Sequence, residues 1–310
     1  MNLQQLEYIT QVNRHRHFAK AADKSGVTQP TLSMMIQKLE EELGVTIFDR
    51  STKPVIPTRE GKEIILRAKE ILTDVARIKE FAAELREEIS GELHLGIIPT
   101  LAPYLLPLFL KSFTKKYPHL RIYIKEMITD EIILNLKSGV LDIGLLATPL
   151  NEPLLSEYPL FYEEFFAYAS HAEKLPNKKY ILPKDINLNH LWLLEEGHCL
   201  RNQVFNLCEL MKQDPEAERL HYEAGSIETL INLVDSSEGI TILPQLALLN
   251  LRPQQKKKVR EFARPRPVRE ISIVTGINFP RHKLLKHLTS EILSFLPFEF
   301  TNKNKNVLKI

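Results

Sequence analysis

Cysteine is almost absent from this chain: Cys199 and Cys208, nine positions apart, are the two in 310 residues. Two thiols cannot frame a disulfide-stapled small fold, and their plainest reading is a pair of buried apolar thiols in a reducing compartment. Long apolar runs are missing as well. No stretch of about 18 uncharged apolar residues occurs, which removes a transmembrane helix. Met1 to Glu7 shows no basic region ahead of an apolar run, so no secretory signal is expected. The expected setting is the cytoplasm, without a membrane partner. Nor does charge of one sign dominate. The 41 Lys and Arg against 39 Asp and Glu leave a formal charge of +2, so nucleic-acid binding would have to come from local placement of charge.

What is present is ordinary globular material, with 44% hydrophobic and 26% charged residues, which excludes disorder as the main state. At roughly 100 to 200 residues per domain, two or three domains fit. The first 60 residues read as three short helices and a small hairpin. Leu3, Leu6 and Ile9 to Val12 give a first helix with Asn2 as N-cap and Gln5 completing a capping box. Phe18 to Lys24 gives a second, stopped by Gly26. Thr28 can cap a third, with Pro30 tolerated in its first turn. Leu32, Ile36, Leu39 and Leu43 turn one face inward and Gly44 ends the helix, while Thr31, Ser33, Met34, Gln37 and Lys38 occupy the opposite face. Val45 to Arg50 and Val55 to Thr58 can pair around Ser51-Thr52-Lys53-Pro54 as a β-wing. The arrangement is a winged helix-turn-helix. A generic helical bundle with a hairpin would use the same core pattern but rarely carries such a wing.

From Thr58 to about Ile89 one long helix is expected. Ile64, Ala68, Ile71, Val75, Ile78, Ala82, Leu85 and Ile89 recur at alternating spacings of four and three, a coiled-coil seam that must be covered by a partner chain or by the protein body. A dimer is the expected result. Beyond Gly91, strand candidates at Glu92 to Ile98, Arg121 to Met127, Leu141 to Ala147, Leu191 to Glu195, Leu220 to Ala224, Gly239 to Leu243 and Ile271 to Thr275 alternate with helix candidates. The helices are Leu101 to Lys115, Glu131 to Ser138, Leu200 to Lys212, Ile227 to Asp235 and Arg281 to Leu296. This is an α/β pattern, with a parallel or mixed sheet in two lobes and ligands outside the carboxyl ends of strands. The basic cluster Arg252, Lys256, Lys257, Lys258 and Arg260 reads as a solvated loop. No metal and no cofactor are expected.

Ala21-Ala22-Asp23-Lys24-Ser25-Gly26-Val27-Thr28-Gln29-Pro30-Thr31-Leu32-Ser33, then Ile36, Leu39-Glu40, Leu43-Gly44, Phe48-Asp49-Arg50 and Thr58-Arg59-Glu60-Gly61, resemble the N-terminal domain of LysR-type transcriptional regulators. The resemblance implies a DNA-binding homodimer or dimer of dimers, with a two-lobed body resembling periplasmic binding proteins, and contact with RNA polymerase. On that basis residues 1–58 form the winged domain, 59–90 the linker and dimerisation helix, and 91–310 a regulatory redox-sensing domain. Its lobe I would span 91–163 with 268–310, and lobe II 164–267. Phosphate contacts are expected from Thr28, Ser33, Lys38, Arg50 and Lys53, and base readout from Gln29, Pro30, Thr31 and Met34.

Within the family, Leu194-Glu195-Glu196-Gly197-His198-Cys199-Leu200-Arg201-Asn202-Gln203, with Cys208 following, closely resembles the redox segment of the members that sense hydrogen peroxide and activate transcription. The resemblance implies that Cys199 is the peroxidatic cysteine and Cys208 the resolving one, and that Thr100 and Thr129 line a peroxide pocket. The surrounding residues suit that chemistry. Peroxide oxidises a thiolate, and a cysteine of pKa about 8.5 is only slightly ionised near neutrality. Cys199 falls at the start of an expected helix, with Arg201 on its first turn and His198 beside it, all of which favour the anion. Thr100 and Thr129 stand where strands meet helices, and their plain alternative role is N-capping. Asp142 in the next strand reads as structural. Cys208 falls among Val204, Leu207 and Met211 on one helix face, buried when reduced. Nine residues of helix rise about 13.5 Å, whereas a disulfide needs Cα atoms about 5.5 to 6 Å apart. The helix must therefore unwind if the two join.

Two other readings stand beside this one. One is a LysR-type regulator gated by a small organic effector, with structural cysteines. The other is a thiol peroxidase enzyme, against which the wing and the coiled helix argue because turnover needs neither.

Overall fold

The computed structural model describes residues 1–84, 89–173, 180–187, 190–194, 200, 203–204, 224–277, 279–297, 300 and 307–309. Two compact units divide the chain, Met1–Glu88 and Ile89–Ile310.

In the first unit, α1 (Leu3–His15) begins with the expected reciprocal cap between Asn2 and Gln5 and ends with Arg16 in the left-handed region. Next comes α2 (Phe18–Lys24), and Gly26 turns the chain at φ +67°. Thr28 then caps α3 (Gln29–Leu43), and Gly44 closes it at φ +66°. The wing pairs β1 (Phe48–Asp49) antiparallel with β2 (Ile56–Pro57). Leu6, Ile9, Val12, Leu32, Ile36, Leu39, Ile47 and Phe48 form the core. Leu43, expected on the inward face, is instead 38% exposed at the last residue of α3.

The long helix α4 spans Arg59–Glu84. Thr58 anchors its start, donating from Oγ1 to the carbonyl of Thr46 (2.7 Å) and accepting the N–H of Gly61 (2.9 Å). Ile65 and Ala68 pack into the core, whereas Ile71 and Ile78 of the predicted seam stand exposed. Leu85 lies outside the described residues, and Ile89 is not helical, so the helix does not extend to Ile89 as expected. Gly61 is dictated by contact: a Cβ there would sit 2.0 Å from the carbonyl oxygen of Ile47. Gly61→Ala should therefore push the wing off α4, at a cost of about 2 kcal/mol or more. A drop in the melting temperature of this unit, absent for Lys62→Ala, is the expected outcome.

The second unit is built on a sheet of nine strands among the described residues. Its parallel part joins β3 (Gly91–Ile97), β4 (Leu120–Glu126) and β5 (Ile143–Thr148), with α5 (Ala102–Lys116) and α6 (Thr129–Lys137) as crossovers. Two long strands, β6 (Leu155–Ala169) and β10 (Arg266–Gly276), then run antiparallel to each other. The first part of β6 pairs with β10, and its last part with β8 (Ile240–Pro244) and β9 (Val259–Phe262). The short strand β7 (Tyr180–Ile181) lies beside β9, and β11 (Val307–Lys309) beside the start of β10. One pair of crossing strands thus serves two lobes. The first lobe carries α5, α6 and α8 (His282–Phe295), and the second carries α7 (Ile227–Ser236). Buried leucine, isoleucine and phenylalanine side chains fill the core continuously from one lobe to the other.

Several elements differ from expectation. The 15-residue β6 was not foreseen from sequence: Pro159 interrupts its pattern and the register slips opposite Ile271 and Ser272, so the two-residue alternation is broken midway. The expected strand from Leu191 reduces to single bridges, Leu191 with Ile240 and Leu194 with Ala224. Of the expected helix Leu200 to Lys212, Leu200, Gln203 and Val204 are helical and the rest lies outside the described residues. The basic loop is not wholly solvated, since Lys258 donates to Asp235 at 2.7 Å. Tyr168 and Gln255 donate to the same carboxylate. Burial pushes the Asp235 carboxyl up, but these three donors together hold it below its ordinary value.

Candidate functional site

The neighbouring parallel strands β3 and β4 are in register, Ile97 opposite Glu126. Thr100 and Thr129 each lie three residues beyond those ends, so the topology delivers both threonines to one carboxyl edge of the sheet. Neither serves as an N-cap. Leu101 precedes α5 and Ile128 precedes α6, both without a side-chain cap, and Thr129 is already the first helical residue. The capping explanation fails for both.

Thr100 is 2% exposed, and its surroundings contain a fully buried charge pair. Arg269 on β10 directs Nη1 to Thr100 Oγ1 (3.0 Å) and Nη2 to the Thr100 carbonyl (3.3 Å). Its Nε meets Glu163 Oε2 at 2.8 Å, on the directly paired residue of β6. The other Glu163 oxygen accepts the N–H of Leu246 (2.7 Å), just beyond β8. Arg269 and Glu163 are both 0% exposed, and the guanidinium lies 6.0 Å from the Phe165 ring. A continuous polar chain therefore runs from the Thr100 loop through both crossing strands into the second lobe.

The direction of those bonds has a chemical consequence. Thr100 Oγ1 accepts from a guanidinium, so its own proton is directed elsewhere and is available to an acceptor. Thr129 Oγ1 is buried with no hydrogen-bond partner among the described residues. An unmet buried hydroxyl costs about 1–3 kcal/mol, which a small ligand able both to donate and to accept would recover. Asp142 is structural, as expected: its Oδ2 accepts the N–H of His94 at 2.7 Å.

Cys199, Cys208, His198 and Arg201 lie outside the described residues. The flanking residues are placed: Leu194, bridged to Ala224, and Leu200 are each 2% exposed. Sequence reasoning missed Arg269 and Glu163. The available signal was a pair of adjacent charged residues inside each of two otherwise strand-like stretches, Glu163-Glu164 in Leu160 to Ala169 and Arg269-Glu270 in Val268 to Thr275.

On the first unit, Thr28, Gln29, Pro30, Thr31, Met34, Lys38 and Lys53 are exposed. Thr28 and Thr31 share a hydrogen bond of 2.8 Å between their hydroxyls. Arg50 is partly engaged within the protein: Nη2 meets Glu40 Oε2 (2.8 Å), Nη1 meets Ser33 Oγ (3.1 Å), and the guanidinium covers the Phe18 ring at 5.1 Å. Glu40 also accepts the N–H groups of Ile47 (2.7 Å) and Phe48 (3.2 Å), which fastens α3 to the wing. Arg50 and Ser33 therefore form a joined pair with part of their bonding capacity used. Gln29→Ala should cost about 1–3 kcal/mol on the preferred sequence and relax specificity, whereas Lys38→Ala should weaken all sequences alike and flatten the salt dependence. Binding titrations on specific and scrambled duplexes separate the two; equal losses for Gln29→Ala would remove it from readout.

Two families match the chain. Residues 3–62 match "Bacterial regulatory helix-turn-helix protein, lysR family", and residues 86–296 match "LysR substrate binding domain". The DNA-binding transcriptional dual regulator OxyR of Escherichia coli K12 is 36% identical over 292 residues, 94% of this chain and 95% of that protein. A full-length OxyR variant from Pseudomonas aeruginosa superposes with a TM-score of 0.76 at 31% identity, covering 96% of this chain and 99% of that one. A hydrogen-peroxide-bound OxyR mutant from Corynebacterium glutamicum gives a TM-score of 0.59 at 28% identity, over 94% and 92% of the two chains.

Proposed function

The chain belongs to the LysR family of bacterial transcriptional regulators, and from that premise we propose that it is a DNA-binding activator that responds to hydrogen peroxide through Cys199. The observation that carries this reading is the pair of strand-end hydroxyls: Thr100 with its proton left to donate, and Thr129 buried without a partner among the described residues. Peroxide is small and neutral, and it both donates and accepts, so it suits such a site better than a charged or bulky effector. Among relatives, a protein named for peroxide-inducible gene activation in Dickeya chrysanthemi is 37% identical over 274 residues, which supports the same signal.

In the proposed chemistry, the Cys199 thiolate attacks one peroxide oxygen and the O–O bond breaks. The sulfur becomes a sulfenic acid, and the departing hydroxide takes up a proton to leave as water. The Cys208 thiolate then attacks that sulfur, expels the second oxygen as water after protonation, and forms the disulfide. Two thiols and one peroxide give one disulfide and two waters, and a cellular dithiol reverses the change. His198 and Arg201 stabilise the Cys199 anion. Closing the bond requires the helix expected from sequence between the two cysteines to unwind, which would rearrange the second lobe and the way subunits meet.

The remaining assignments belong to the same proposal. Residues 1–58 bind promoter DNA, 59–90 dimerise, and 91–310 sense the signal. Ile71 and Ile78, exposed in the single chain, support burial of the α4 seam in a homodimer, with a dimer of dimers as the larger assembly. RNA polymerase is the expected downstream partner, and the cytoplasm the expected location; among the described residues no helix is long and apolar enough to cross a membrane. Transcription in vitro tests the reading. Peroxide added to the reduced protein should raise transcription from its promoter with no other small molecule present. No change with peroxide, and activation by an organic effector instead, would sink it.

A further inference from the structure

The two lobes are joined by a bond that the peroxide chemistry above does not use. Tyr104 sits on the first turn of α5, four residues after Thr100, and is 4% exposed. Its hydroxyl donates to Glu228 Oε1 at 2.7 Å, across to the first turn of α7 in the other lobe. Burial, then the bond to Glu228 and the nearby charge of Glu163, push the Tyr104 hydroxyl well above the ordinary range of a phenol, so it remains a donor in any cellular medium.

Both ends of this bond are firmly held. Ser226 caps α7, its Oγ accepting the N–H of Thr229 at 3.2 Å. Two residues earlier, Ala224 is bridged to Leu194, and Cys199 follows Leu194 by five residues. On the other side, the loop before Tyr104 is fixed through Thr100 to Arg269. The bond therefore ties the end of α5 that presents Thr100 to the lead-in of α7, whose backbone is paired with the segment running to Cys199.

We propose that Tyr104 and Glu228 form an interlobe latch that sets the reactivity of Cys199 through the paired Leu194–Ala224 backbone, making them positioning residues for the peroxide reaction; in that last respect the proposal rests on the function proposed above.

A Cys208→Ser background leaves Cys199 as the lone thiol and allows three readouts on the full chain. Hydrogen exchange over Thr229 to Ile231 reads the bond itself, alkylation by iodoacetamide reads the setting of Cys199, and sulfenic-acid trapping after hydrogen peroxide reads the sensing reaction. Tyr104→Phe and Glu228→Ala should each speed that exchange and slow sulfenic-acid formation by about tenfold, and should change the alkylation rate, with unfolding still cooperative. The double variant should be no worse than either single one, since both remove the same bond. Glu228→Gln, which keeps an acceptor, should stay within about twofold of the parent. Unchanged exchange in Tyr104→Phe, or losses that multiply in the double variant, would overturn the latch. Faster exchange with unaltered alkylation would overturn its influence on Cys199. A parent that never reacts with peroxide would defeat the sensing reading, while exchange and alkylation still decide the latch.

Discussion

Arg269→Met is expected to destabilise the second unit by about 3–5 kcal/mol. The reason is the carboxylate left behind. Glu163 is 0% exposed, and its salt-bridge partner at 2.8 Å is Arg269; removing the cation leaves a buried anion that keeps one backbone donor, from Leu246. The Thr100 hydroxyl and carbonyl lose their donors at the same time. Trp192 is the sole tryptophan of the chain and lies in this unit, so its fluorescence during denaturant unfolding reports the loss without interference from the DNA-binding unit. The partner experiment separates charge from packing. Arg269→Met combined with Glu163→Leu should recover most of the stability, because an apolar pair of similar volume does not carry the desolvation cost of an ion pair. It should not recover peroxide reactivity, since the Thr100 proton is no longer directed by a guanidinium. An unfolding midpoint that does not move in Arg269→Met would contradict the buried-pair account.

Cys199→Ser is expected to abolish the response to peroxide altogether while leaving promoter affinity and unfolding as in the parent. A serine hydroxyl does not ionise near neutral pH and is not oxidised by peroxide, so no partial activity should remain. Cys208→Ser should behave differently. Its Cys199 should still gain one oxygen atom, but the product cannot pass to a disulfide, and the helix expected from sequence between the two positions has no covalent reason to unwind. Reporter transcription in the two variants, with the mass of each protein after peroxide, tests both outcomes. A peroxide response equal to wild type in Cys199→Ser would remove the sensing claim.

The parts legible from sequence were those set by local chemistry. Asn2 with Gln5, Thr28 before Pro30, and the glycines at 26 and 44 act within a few residues of themselves, and each occupies the cap or turn its chemistry requires. The strand-end positions of Thr100 and Thr129 were legible for the same reason, because a strand followed by a helix puts its connection at one edge of a parallel sheet. Non-local pairing was not legible. Arg269 and Glu163 are 106 residues apart and become neighbours because the first part of β6 pairs antiparallel with β10. The strand that carries Glu163 was hidden by Pro159 and a register slip. Leu43 followed the apolar spacing of α3 but stands exposed at its last position, and Arg50, expected on a phosphate, also fastens α3 to the wing. Spacing reveals which face a residue occupies; it does not reveal what is left to pack against that face.

The central claim is that two thiols nine residues apart become one bond when peroxide arrives. The most direct measurement is to treat the fully reduced protein with one equivalent of hydrogen peroxide, digest it without reductant, and look by mass spectrometry for a peptide linking Cys199 to Cys208. That linked peptide is expected as the main product, restored to two free thiols by a dithiol. Two unmodified thiols after peroxide, with the promoter still activated, would contradict it.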